Sequence, residues 1–155
     1  MTAPRAHGSV RDVEAAPDVV RVYAVAGMSM YPLYRDGDLV AGTDFNGTAK
    51  CGRCYGFANG NGRLLHRFVG LRSGLMFFSG DDSAGFESAE PGDIFFSADT
   101  TGPPVYNLTV RVINELFFRY HIAGGQSSKI KSAIIRAVYK VFFAGVVSWR
   151  RKKST

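Results

Sequence analysis

A serine set between a glycine and a proline, a histidine inside an apolar run and three acids around a turn are the residue types of acyl transfer through a covalent intermediate. The serine is Ser29, in Gly27-Met28-Ser29-Met30-Tyr31-Pro32. Glycine and proline mark a sharp turn there, which can expose the hydroxyl and leave neighbouring N–H groups for an oxyanion. Taken alone, such a serine is usually only a turn residue. The histidine is His66, in Leu64-Leu65-His66-Arg67-Phe68-Val69-Gly70. In a strand, alternation puts Leu64, His66 and Phe68 on one face and Leu65, Arg67 and Val69 on the other, so the imidazole has a fixed direction. It could then take the serine proton and return it to a leaving amine. A carboxylate on the second ring nitrogen would fix the tautomer and stabilise the imidazolium. Gly80-Asp81-Asp82-Ser83-Ala84-Gly85-Phe86-Glu87 offers Asp81, Asp82 and Glu87 for that place, while Gly80-Asp81 reads equally well as an Asx turn.

Cys51 and Cys54, as C-G-R-C, invite a redox or zinc reading. A structural zinc needs four ligands, and the sequence has no second such pair and no nearby pair of histidines. The two cysteines are therefore read as ordinary residues, and no metal or cofactor is expected.

Elements able to hold such a site are legible around it. Short runs rich in Val, Tyr, Phe and Leu occur at Val20 to Val25, Leu39 to Ala41, Cys54 to Ala58, Leu64 to Val69, Leu75 to Ser79 and Ile94 to Ser97. Turn signals such as Asp36-Gly37-Asp38 and Asn59-Gly60-Asn61-Gly62 separate them, and the second predicts a hairpin between CYGFA and RLLHRFVG. This pattern predicts a mainly β, barrel-like domain over residues 20–106. Residues 1–19 lack periodicity and read as a flexible arm. Residues 107–155 read as a helical extension with a basic tail, with one helix from Asn107 to Ile122 and a second from about Lys129 to Trp149, capped by Ser127 or Ser128. A chain of 155 residues has room for one such core.

The net charge of +6 is concentrated between Lys129 and Lys153, whereas Ala24 to Asp99 is nearly balanced. With no basic face on the central domain, a nucleic-acid partner is not expected. The first twenty residues contain no apolar run of signal-peptide or membrane-span length, which points to a cytoplasmic or membrane-peripheral location. The second helix carries Ile130, Ala133, Ile134, Ala137, Val138, Val141, Phe142, Gly145 and Val146 at helical spacing, with Trp149 at its end. One reading lays this stripe on an anionic membrane surface, with Lys129, Lys131, Arg136, Lys140 and Arg150 to Lys153 meeting head groups. The other packs it on the β domain. A full span is not expected, because Arg136 and Lys140 interrupt the run.

The order G-x-S-M-x-P, G-D-x-V, a strand with H-R-x-V, and then G-D resembles the signal-peptidase branch of the serine-protease clan that also contains the self-cleaving SOS repressors. The likeness runs from about Val22 to Ser97. Bacterial leader peptidases of that clan use a lysine base in a strand of the form K-R-V-V-G. His66 at that register makes the chain similar to the endoplasmic-reticulum and archaeal type, which pairs serine with histidine. The resemblance implies Ser29 as nucleophile, His66 as general base and an orienting acid either in the G-D motif or six positions on. These positions hold Asp81 and Glu87, and the short side chain directly after Gly80 favours Asp81. It also implies an oxyanion hole built on the serine's own N–H. A family hydroxyl two residues before the nucleophile is replaced by Gly27, so a second donor would be backbone.

The expected function is then a serine endopeptidase that removes a leader or signal peptide from a precursor protein or peptide. In length the chain resembles anchorless maturation proteases of the clan. An inactive peptide-binding module of the same fold is the alternative. A self-cleaving DNA-binding repressor is not expected, because the irregular residues before Val20 cannot form a helix-turn-helix.

Overall fold

In a computed structural model of the chain, residues 9–13, 20–31, 33–60, 62–83, 85–99, 104–124 and 129–152 are described, with side chains at 20–31, 33–60, 62–83, 85–99, 104–124 and 130–141. Eight strands form one antiparallel sheet: β1 (Ser9–Val13), β2 (Arg21–Ala26), β3 (Leu39–Asp44), β4 (Cys54–Asn59), β5 (Gly62–Arg72), β6 (Leu75–Ser79), β7 (Glu87–Ala89) and β8 (Ile94–Ala98). Two helices follow, α1 (Pro104–Ile122) and α2 (Lys129–Lys152). The protein is thus mainly β with two C-terminal helices, as expected. Strand order is β1-β2-β3-β8-β4-β5-β6-β7, and the sheet curls far enough for Ser9 to face Leu64 of β5. It is not a closed barrel.

The expected strands all form, and the predicted hairpin pairs Cys54 with Arg67 through to Asn59 with Gly62. Two strands are additional. β1 falls inside the stretch read as a flexible arm, and that reading is corrected for Ser9–Val13, which pairs with β2 along its whole length. Five residues with two charges show too short a pattern to betray a strand whose order comes from its partner. β7 is short as well, and it forms by pairing with β6 from Met76–Ala89 to Phe78–Glu87. α1 begins three residues before the expected cap at Asn107. The caps considered for α2, Ser127 and Ser128, and the Pro32 of the serine motif lie outside the described residues.

Period-two burial builds two cores. Tyr23, Val25, Val40, Leu65 and Phe96 form one with Met30 and Tyr34. Tyr55, Phe57, Leu64, Phe68, Met76 and Phe78 form the other, in which the Phe57 and Phe78 rings stack with centroids 4.2 Å apart. β5 supplies both, Leu65 to the first and Leu64 and Phe68 to the second, as its alternation predicts. A third, smaller cluster of Tyr106, Val110 and Ile135 joins α1 to α2.

α1 is held on the sheet side by Tyr106, Val110, Asn114 and Phe118, one turn apart on a single face. Phe118 is the anchor, with its ring 5.1 Å from Phe77 and 5.5 Å from Phe86. Phe118→Ala is expected to lower unfolding free energy by about 3–5 kcal/mol, read from denaturant midpoints, because it empties this seat without removing a polar contact.

Candidate active site

Ser29 follows Gly27, whose φ of 92° places the chain in the left-handed region as it leaves β2. A short turn then forms, with the Tyr31 N–H donating to Met28 O at 3.0 Å, and Met30 is buried beside it in the first core. Buried Met30 anchors the turn while Ser29 stays half-buried, its hydroxyl at the surface of the core.

His66 is fully buried in β5, on the Leu64–Phe68 face, with its ring edge toward Phe57. Its Nε2 lies 2.8 Å from Ser29 Oγ, and its Nδ1 lies 3.0 Å from Glu87 Oε2. A carboxylate accepts only, so Nδ1–H donates to Glu87 and the Nε2 lone pair faces the serine O–H. Serine, imidazole and carboxylate form one hydrogen-bonded line.

The acid at the end of that line is Glu87, and the assignment of Asp81 is corrected. Asp81 is fully buried and forms a fork with Arg67, Nε to Oδ1 at 2.7 Å and Nη2 to Oδ2 at 3.0 Å. Tyr106 O–H adds a third bond to Asp81 Oδ2 at 3.2 Å. Arg67 neighbours His66 in sequence but points to the opposite face of β5, so its partner is drawn away from the imidazole. Glu87 opens β7, whose pairing to β6 returns the chain toward β5 and brings its longer arm to His66. Asp82, the third acid considered, has Arg136 Nε 3.5 Å from its Oδ1.

The loop between β6 and β7 closes on the serine. Asp82 N–H donates to Ser29 O at 2.8 Å. Gly80 is pressed so closely that a β-carbon there would lie 2.5 Å from Ser29 O and 3.1 Å from His66 Nε2. Only glycine fits between Ser29 and His66. Gly27 does not supply an oxyanion donor, because its N–H binds Asp36 Oδ1 at 2.9 Å.

Electrostatics divide the site in two. Burial alone would depress the Arg67 guanidinium, but Asp81 beside it more than offsets this and the pKa is raised. Burial and the Asp81 charge both push the Tyr106 hydroxyl up, so it remains a donor. Lys131 of α2 is also fully buried here, donating to Ser79 Oγ and, at 3.2 Å, to Gly80 O. Its expected place among head-group contacts is corrected: it faces inward because its ammonium finds acceptors at the end of β6. Nothing in the local sequence marked it, since it reads as one more cation on a basic helix. Cys51 is exposed and Cys54 buried, both as free thiols, and burial raises Cys54 to about 11. The chain matches no family model, no curated protein and no solved structure.

The two acids predict different phenotypes. Asp81→Asn leaves a buried guanidinium without its counter-charge and is expected to cost about 3–5 kcal/mol of stability by denaturant unfolding. Glu87→Gln should leave the unfolding midpoint nearly unchanged while lowering reactivity of Ser29 toward an acylating probe by up to about 10⁴-fold.

Proposed function

We propose that the protein is a serine endopeptidase that removes a leader or signal peptide from a precursor, with Ser29 as nucleophile, His66 as general base and Glu87 as its orienting acid. The observation that carries this reading is the line from Ser29 Oγ through His66 to Glu87, with both hydrogen bonds at 3.0 Å or less. As Ser29 Oγ attacks a peptide carbonyl, Nε2 takes its proton, and Glu87 stabilises the imidazolium that results. The main-chain N–H of Ser29 would meet the oxyanion of the tetrahedral intermediate. His66 then protonates the departing amine, and water, activated by the same nitrogen, releases the acyl group from Ser29. The peptide class rests on the resemblance of the serine, histidine and G-D motifs to signal peptidases.

A fluorophosphonate probe tests this on the full chain. Wild-type protein should be labelled at Ser29, Ser29→Ala should not be labelled, and His66→Ala should be slowed by about 10²–10⁴-fold. In cleavage of a genuine precursor the double variant should be no slower than either single one, since the two act as a unit. Folded wild-type protein that resists the probe would favour the peptide-binding module instead.

The site is also proposed to work at an anionic membrane surface. Most of the described part of the stripe on α2 faces outward: Ile130, Ala133, Ile134, Ala137 and Val141 are exposed, Val138 packs against the Tyr106, Val110 and Ile135 cluster, the buried face is Lys131, Ser132 and Ile135, and the side chains of Phe142, Gly145, Val146 and Trp149 lie outside the described residues. α1 adds an outward row of its own, Val105, Leu108, Val112, Leu116 and Tyr120. From Pro104 onward Glu115 is the sole acid among many cations. A second copy on this face would bring like charges together, whereas anionic head groups complement it. No helix among the described residues is long and apolar enough to cross a membrane. Co-sedimentation with phosphatidylserine vesicles should capture the protein, weaken with salt and fall on Leu116→Glu. Equal recovery with anionic and neutral vesicles, or concentration-dependent dimerisation lost in Leu116→Glu, would overturn this placement.

A further inference from the structure

Lys131 lies outside the line of Ser29, His66 and Glu87, yet its contacts converge on the segment that holds that line together. Its Nζ donates to Ser79 Oγ and to Gly80 O, and Ser79 Oγ in turn donates to Gly85 O at 2.9 Å. These bonds tie both ends of the loop that leaves β6 at Ser79 and enters β7 at Glu87. The Phe86 ring, 5.2 Å from the ammonium, closes the neck from the other side. Within the loop, Asp82 N–H and the α-carbon of Gly80 bear on the Ser29 carbonyl, and its last step delivers Glu87 to His66.

We propose that Lys131 is a positioning residue of the active site: it clamps the neck of the β6–β7 loop, and its charge favours the ionised Glu87 that orients His66. The inference rests on the serine-hydrolase reading of that site.

A neutral side chain could supply donors at lower cost, because burying an ammonium is unfavourable unless its charge is used. The charge has partners here. Burial lowers Lys131 to about 8, against the opposing pull of Asp81, Glu87 and Asp82. These acids have other partners as well, Arg67 and Tyr106 on Asp81, His66 on Glu87 and Arg136 on Asp82, while His121 of α1 stands against the Phe86 ring that faces the ammonium. Protonated Lys131 donates charge-assisted bonds to the loop and offsets acids on three sides. As pH rises through about 8 the ammonium is lost, and with it the charge that favours ionised Glu87.

The test is the rate of fluorophosphonate labelling of Ser29 in the full chain as a function of pH, alongside thermal unfolding. Wild-type labelling should fall about tenfold above the Lys131 transition as the charge-assisted clamp weakens. Lys131→Arg keeps the charge and should remove that alkaline fall while retaining most of the neutral-pH rate. Lys131→Met should label about 10–100-fold more slowly at neutral pH, with no alkaline fall, because the loop is held less firmly. Its melting temperature should fall, since Gly80 O and Ser79 Oγ lose a buried donor, so the distinction from a residue that merely supports the fold is the alkaline fall, which such a residue would not produce. Wild-type rates and alkaline fall preserved in Lys131→Met overturn the inference. If Lys131→Met fails to fold, an unchanged alkaline fall in Lys131→Arg overturns it just as well. A wild-type protein that is never labelled, at any pH, overturns the hydrolase reading itself and this inference with it.

Discussion

The buried pair of Arg67 and Asp81 is the constraint on which the rest of the arrangement turns. One guanidinium binds the loop after β6 through Asp81, the turn before β4 through Gly52 O at 2.7 Å, and α1 through Asn107 Oδ1 at 3.1 Å. Tyr106 of α1 bonds the same carboxylate, and its ring lies under the guanidinium carbon at 6.0 Å. Three segments distant in sequence therefore meet at one charge that has no access to water. A pair of this kind contributes little net stability compared with well-packed apolar residues, but any other arrangement would leave one charge buried alone. What it supplies is uniqueness of position. Because Arg67 is adjacent to His66 on β5, fixing one face of the strand aims the other, and the imidazole inherits its direction from an ion pair it never touches.

The same pair explains why two acids in one loop have separate tasks. Asp81 is too short to turn back once Arg67 holds it. Glu87 enters a new strand, and the β6–β7 pairing sets its distance from His66. In sequence both stand at positions that could orient the histidine. The choice depends on which face of β5 each reaches, and that is fixed by the partner of Arg67, a long-range contact. The meeting of Ser29 and His66 was legible because their signals are local: a glycine turn before Ser29, and strict alternation through Leu64, His66 and Phe68. The hairpin of β4 and β5 was legible for the same reason, in Asn59-Gly60-Asn61-Gly62. β1 was not, since its order comes from β2 and its own five residues carry almost no pattern.

The C-terminal helices show a different limit. Periodicity identified an apolar stripe on α2, yet Ile130, Ala133, Ile134, Ala137 and Val141 face outward, and the inner face carries Lys131 and Ser132 beside Ile135 and the partly buried Val138. Helical spacing reports that a face exists and says nothing of what it meets. The usual assumption that the apolar side is the inner side fails here because the surface it lands on is polar at that point: Gly80 O, Ser79 Oγ and the Asp82 carboxylate end a strand and begin a loop, and they need donors. Lys131 donates to the first two and Arg136 sets its charge 3.5 Å from Asp82 Oδ1, which leaves most of the described aliphatic residues to the outside.

Placed in this way, α2 links two sides of the molecule through one rigid element. Its inner face holds the loop that grips the Ser29 carbonyl and carries Glu87, while its outer face, with the row on α1, is apolar and bordered by cations. Any force that shifts the helix along or about its axis acts on Lys131 first, because a buried ammonium with two acceptors cannot slide without breaking a bond that water is not there to replace. The serine and histidine motifs make up the proposed reacting centre, but the loop that closes on them is held by a residue 52 positions beyond Ser79. The β unit alone therefore contains the chemical groups of the site without the contact that holds its loop closed.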